Sequence, residues 1–353
     1  MIFYGQALIQ KVRLSSMNSV VVKKPGKLYL SGEYAVVKGY HAIILPSEWM
    51  LEVSIHEQDH FSINSDQFKE NIVFQVRDYK IDYPYALWKH TLQSIYRYLK
   101  YTRVPLKPHH IQITSELHKD EKKWGLGSSG ALTIALIDAV LQFHHIYFNP
   151  LELYKLGVVT QRDLMEKSSF GDLAMSAFQK PLLYKKFNSK KLSQPLYQDV
   201  HKEWDDLIIQ PIELQDLPII IVHTNQTASS YKLVSTVFSS KDNIELLEDI
   251  NRITLHIYEV IQSTQYDQLY PLLKEHHAAL LKLKVKKPLY THNMQDIISH
   301  INTPDIGFKF SGAGGGDNMM IATTRDKIHQ VIKEIPTSYP IINNYIKGVI
   351  HVE

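Results

Sequence analysis

The chain has 353 residues, 44% hydrophobic and 21% charged, which is enough for two domains with an extended core and too apolar for a disordered protein. A net charge of +3, from 39 basic and 36 acidic residues, does not argue for a nucleic-acid partner, although it suits an anionic metabolite. There is no cysteine, so disulfides, thiolate metal sites and cysteine nucleophiles are excluded, and a cytoplasmic protein is the default expectation.

In residues 1–17, Lys11 and Arg13 follow the apolar stretch instead of preceding it, so this segment does not read as a signal peptide. It reads as a short leader, with Met17 an alternative start. Residues 19–23 (SVVVK) are β-branched and predict a short strand that Pro25 and Gly26 break. Further strands are expected at 27–31, 50–56, 61–64 and 71–76. A helix is expected over 86–99, where Leu87, Thr91, Ile95 and Leu99 share one face. A strand at 110–114 precedes a strongly apolar helix over 131–145. That run carries Asp138 and reads as a buried helix, and no segment is long and apolar enough to span a bilayer.

Residues 190–206 are polar and irregular and mark the neighbourhood of a domain junction. Beyond them a buried strand at 217–223 (LPIIIVH), helices over 244–262 and 266–282, a hairpin from 306–311 and 318–323, a helix over 326–335 and a closing strand at 349–352 are expected. This mixture of antiparallel strands and helices is an α+β pattern. The 18 histidines include pairs at 109–110, 144–145 and 276–277, but adjacent histidines point differently and rarely share one metal. The lysine-rich run 282–287 reads as a solvated loop.

Three segments carry chemistry. Residues 124–131 (WGLGSSGA) stand directly before the apolar helix. Glycines let the backbone approach a ligand, Ser128 and Ser129 sit where an N-cap belongs, and the helix N-terminus favours phosphate. A serine hydroxyl there suits magnesium, a hard cation that prefers oxygen. The segment also spells G-x-G-x-x-G. A dinucleotide-binding fold is disfavoured, however, because 119–123 reads as a charged loop and repeated strand–helix alternation is missing. Residues 311–317 (SGAGGGD) place three consecutive glycines between two strands, costly in chain entropy unless the main chain must approach another group. Residues 27–36 (KLYLSGEYAV) are, taken alone, a strand and turn with one lysine.

In order and spacing, these segments resemble those of the GHMP kinases: an early P-G-K-L-x-x-x-G-E, a central G-L-G-S-S-x-A and a late S-G-A-G-G-G-D, spanning residues 20–324. The resemblance implies an α+β two-domain fold, with an N-terminal α/β domain at 18–205 and a C-terminal ferredoxin-like α+β domain at 206–353. It implies ATP on Lys122, Lys123, Gly125, Leu126, Gly127, Ser128, Ser129 and Gly130, with Mg2+ on Ser129.

Four features look like the phosphomevalonate kinase branch: GEYAV at 32–36, KKWGLGSSG at 122–130, SFGDLA at 169–174, and Ser229 and Ser230 after the strand at 219–223. Two positions depart from it: Asn318, where cysteine is common, and His223, where a tryptophan usually precedes the threonine. By resemblance Lys27 and Asp172 are catalytic. Ser169, Ser229, Ser230, Ser311, Gly312, Ala313, Gly314 and Gly315 bind substrate. The implied partner is phosphomevalonate, with no nucleic acid or membrane, in a monomer or homodimer. A phosphate acceptor, with a second pKa of about 6, is already largely ionised. Lys27, magnesium and Lys122 or Lys123 are therefore expected to dominate catalysis, with Asp172 orienting. Mevalonate kinase, diphosphomevalonate decarboxylase and a catalytically silent nucleotide-binding module remain open alternatives.

Overall fold

The computed structural model describes residues 19–345, except 68–69, 85, 120–121, 165–167, 228–236, 238–242 and 286–287. Ser229, Ser230 and the expected strand at 349–352 lie outside the described residues, and for Lys122 and Lys123 only the backbone is described.

The first sheet is organised by its two longest strands, β1 (Ser19–Ser31) and β2 (His41–Glu57), which run antiparallel. The other edge of β2 pairs first with β9 (Leu182–Lys185) and then with β6 (His109–Ser115). β10 (Ile208–Pro211) extends the sheet beyond β9. β3 (Phe61–Ser65), parallel to β6, then β4 (Ile72–Arg77) and β5 (Lys80–Asp82) extend it on the other side.

Pro25 and Gly26 do not break β1, contrary to the sequence expectation. Among the described residues the strand pairs only with β2, so the missing proline N–H removes no bond from a central ladder, and the register shifts between Pro25 and Lys27. That irregularity leaves the Lys27 N–H donating to Leu126 O at 2.7 Å, which joins two of the sequence motifs. A Cβ on Gly26 would lie 2.5 Å from the same carbonyl oxygen.

Helix α1 (Leu87–Tyr101) packs on α2 (Ser128–Phe143), and α2 lies on β1 and β2. Because α2 is apolar nearly all round, it is buried nearly all round. Its Asp138 is neutralised by Lys24 of β1, 2.7 Å away. α3 (Pro150–Thr160) starts at a reciprocal Asn149–Glu152 capping box with proline in the first turn. The short α4 (Gly171–Phe178) packs against α2, α3 and β1.

The second sheet has the order β12 (Gly307–Ser311), β13 (Asn318–Ala322), β11 (Leu217–His223), β14 (Ile341–Tyr345), antiparallel throughout. All seven residues of β11 are buried, as its unbroken apolar run requires. Of the helices α5 (Asn243–Gln262), α6 (Leu269–Leu281), α7 (His292–Ser299) and α8 (Ile328–Glu334), α6 packs on β12 and α5 bridges α6 to β1 and β2. Polar contacts join the halves as well: Ser31 Oγ lies 2.7 Å from Thr254 Oγ1, and the His41 N–H donates to Asn251 at 3.0 Å. The first sheet runs to Pro211 and the second begins at Leu217. Among the described residues no helix is long and apolar enough to cross a membrane.

Candidate active site

The central glycine loop enters α2 through Gly125 and Gly127, both in the left-handed region at φ 68° and 74°. Gly127 is the N-cap, so Ser128 and Ser129 occupy the first turn instead of capping it, as the sequence had suggested. A helix leaves the opening N–H groups of its first turn without intrahelical acceptors, although Gly130 N–H here donates to Gly127 O at 3.1 Å, and the helix dipole is positive at this end. Ser129 is exposed at this end.

The glycines are required by what faces them. A Cβ on Gly127 would lie 2.9 Å from Lys27 Cγ, and one on Gly130 would lie 2.7 Å from Asp172 Cγ. One on Gly125 would run into the Asp317 side chain. Across the cleft, a Cβ on Gly312 would lie 3.7 Å from Lys27 Nζ. The two glycine loops, Lys27 of β1 and Asp172 of α4 therefore meet at one place.

The third loop is held open by an almost unbroken series of left-handed residues. Gly312, Gly314, Gly315, Gly316 and Asp317 have φ of 94°, 71°, 75°, 144° and 55°. It is anchored from behind: Gly315 N–H donates to Leu289 O at 2.7 Å and Asp317 N–H to Gln226 O at 2.6 Å.

The electrostatics are mutually sustaining. Burial pushes the Lys27 ammonium below its ordinary pKa, opposed by the negative charges of Asp172, Asp317 and Glu33. Burial pushes Asp172 above the usual carboxylate range, opposed by Lys27 and by the Leu173 N–H, which donates to its carboxylate at 3.0 Å. Lys27 Nζ also lies 4.6 Å from the Tyr29 ring centroid, a cation–π contact.

Several other expected site residues are already engaged. Ser169 Oγ lies 2.9 Å from the Tyr29 hydroxyl, and its carbonyl accepts from Tyr184 at 2.6 Å, which in turn meets Tyr154 at 2.9 Å. Ser311 Oγ donates to Tyr29 O at 3.1 Å and accepts the Tyr29 N–H at 2.9 Å, stitching β12 to β1. The carbonyl of Ala313 accepts from the Tyr34 hydroxyl. Lys122 and Lys123 form β8, paired with β7 (His118–Lys119) in a small hairpin where a loop was expected.

Sequence reasoning missed Asp317 and Tyr29. Asp317 closed a recognised motif but received no role, and Tyr29 was hidden as an ordinary strand aromatic. The two positions that depart from the family pattern touch each other. His223 Nδ1 donates to Asn318 Oδ1 at 3.0 Å, and Asn318 Nδ2 donates to Trp124 O at 2.8 Å. The Trp124 and His223 rings meet edge-on at 4.7 Å.

Residues 86–180 match the family described as GHMP kinases N terminal domain. A mevalonate kinase of Methanocaldococcus jannaschii is 24% identical over 322 residues, 90% of this chain and 96% of its own length. Residues 86–180 therefore carry a GHMP kinase N-terminal domain. A phosphomevalonate kinase of a Streptomyces species is 28% identical over 182 residues, 46% of this chain and 49% of its own length. The fold matches the Streptococcus pneumoniae phosphomevalonate kinase solved with phosphomevalonate and AMPPNP, with a TM-score of 0.78 at 23% identity, covering 89% of this chain and 95% of that one.

The residues gathered at this site fit a triphosphate. The glycines of the central loop lie at a helix N-terminus, packed against the side chains of Lys27, Asp172 and Asp317. Ser129, Asp172 and Asp317 offer hard oxygen ligands for magnesium, an ion that uses one or two protein carboxylates and takes its other ligands from water and phosphate.

Proposed function

We propose that this kinase transfers the γ-phosphoryl group of ATP to the phosphate of (R)-5-phosphomevalonate, giving 5-diphosphomevalonate and ADP in the mevalonate route to isoprenoids, as a cytoplasmic enzyme. The observation that carries the reading is the convergence of Lys27, Asp172 and both glycine loops on one cleft. The choice of acceptor rests on the GEYAV, KKWGLGSSG and SFGDLA segments.

Phosphoryl transfer needs positioning and charge neutralisation more than covalent help. Here both reactants are anions, so their repulsion is the main obstacle. The α2 N-terminus holds the ATP phosphates, and Lys27 sits between the two loops where the transferred group passes. Magnesium, when bound, neutralises phosphate charge. Asp172 needs no proton from an acceptor oxygen that is already ionised. Its carboxylate instead keeps Lys27 protonated and oriented.

A second reading, mevalonate itself as acceptor, is supported by the M. jannaschii relative, which spans nearly the whole chain. In that reaction Asp172, with its raised pKa, receives the hydroxyl proton. An ADP-release assay with mevalonate, its 5-phosphate and its 5-diphosphate separates the readings. Turnover of the 5-phosphate alone is the expected result, and turnover of mevalonate alone replaces the first reading with the second.

A further inference from the structure

Glu33, which follows the Lys27 strand, has its carboxylate buried at the joint between the two halves of the molecule. It is 2% exposed and its partner Lys309 is fully buried. Glu33 Oε1 accepts from Lys309 Nζ and, at 3.4 Å, from the Gly312 N–H at the start of the third loop. Lys309 Nζ also donates to Tyr29 O at 3.3 Å. His276 of α6 closes the cluster. Its Nε2 accepts the Gly32 N–H at 3.4 Å and lies 3.8 Å from Glu33 Oε2. With Nε2 accepting, the ring is neutral and the charges that matter are one anion and one cation.

A buried ion pair is a poor way to gain stability, because desolvation offsets most of the attraction. Its geometry here is informative. One carboxylate oxygen grips the first backbone N–H of the third loop, and the loop residue behind that N–H faces Lys27 Nζ.

We propose that Glu33, held by Lys309, is a positioning residue for phosphoryl transfer that fixes the third glycine loop against the strand bearing Lys27. The inference rests on the kinase reading above. It is geometric: Glu33 Oε1 joins Lys309 of β12 to the Gly312 N–H, and a Cβ on Gly312 would lie 3.7 Å from Lys27 Nζ.

The test compares Glu33→Gln, Lys309→Met and the double variant, measuring kcat, KM for ATP and melting temperature with whichever acceptor the wild type uses. The expected result is a fall in kcat on the order of tenfold or more in each single variant. The double variant buries no net charge, so it recovers the melting temperature while kcat stays low. It decides the matter if a single variant does not fold.

Losses of melting temperature with kcat and KM within about twofold of wild type would overturn the proposal. So would full activity in the double variant. If the wild type turns over no acceptor, the proposed function fails separately. Affinity for a non-hydrolysable ATP analogue then decides Glu33, since a tenfold loss in Glu33→Gln supports positioning and unchanged affinity overturns it.

Discussion

The two glycine loops meet over the same cleft, yet their glycines are there for different reasons. In the central loop the missing Cβ atoms leave room for charged side chains: Lys27 beside Gly127, Asp172 beside Gly130, Asp317 beside Gly125. In the third loop they leave room for the protein's own backbone and packing. A Cβ on Gly316 would lie 2.5 Å from Gln226 O, and one on Gly314 would lie 3.0 Å from both Leu289 O and the Phe310 ring. The central loop is shaped by the charged side chains that face it, the third by the sheet that presents it. The same Gly→Ala change should therefore damage activity in one loop and folding in the other.

The largest effect tests whether the groups facing the central loop carry the reaction at all. Lys27→Met should lower kcat on the order of a thousandfold, as expected for loss of a preorganised cation at a transferring phosphoryl group. Asp172→Asn should cost less with a phosphate acceptor, on the order of tenfold to a hundredfold. A dead Asp172→Asn beside a normal Lys27→Met would reverse the assignment.

The pH profile adds a signed check. Activity should fall as pH rises through the lowered Lys27 value and as pH drops through the raised Asp172 value, giving a window narrower than solvent-exposed groups would produce. Because Asp172 helps Lys27 hold its proton, Asp172→Asn should move the alkaline limb to lower pH. An unmoved limb would separate the two residues.

The next two predictions pit one loop against the other. Gly130 lies in the first turn of α2, where alanine gains about 1 kcal/mol of helix propensity. That gain offsets part of an overpacking cost of about 1–3 kcal/mol against Asp172. Gly130→Ala should thus stay folded while kcat drops on the order of tenfold or more, because the displaced group is the Asp172 side chain. Gly316→Ala should do the reverse. At φ 144° with a carbonyl in the way, it should lose about 1–3 kcal/mol in denaturant unfolding, with kcat per folded molecule nearly unchanged. Matching losses of stability and activity in the two variants would erase the distinction between the loops.

How far this was legible in the sequence follows from the range of the interactions. Glycine runs are local signals, so residues 125–130 and 312–316 stood out without a structure. The strands at 217–223 and 318–323 were equally plain, being short and largely apolar, the second of them beside the glycine run. The continuation of β1 through Pro25 was not, because a proline is tolerated only where a strand has a free edge, and edge status belongs to the sheet. Helix α4 and strand β9 span eight and four residues, too few for a period to show. Glu33 and Lys309 are 276 positions apart, and nothing local to either announces the other.

The smallest predicted effect concerns the seam between the loops. Asn318 is fully buried, with one end on His223 and the other on the Trp124 carbonyl at the mouth of the central loop. It lies directly after Asp317, so it ties the end of one glycine loop to the beginning of the other. Asn318→Ala removes a donor from a buried carbonyl and an acceptor from a buried imidazole, at about 1–3 kcal/mol of unfolding free energy. If the seam also sets the spacing of the loops, KM for ATP should rise about fivefold, equivalent to about 1 kcal/mol of binding, while kcat changes less. Asn318→Asp, which keeps the acceptor for His223 but cannot donate to Trp124, should show the rise in KM too. A normal KM in that variant would place the contribution of Asn318 on the His223 side, within the second sheet, and leave the two loops held together by the charges in the cleft.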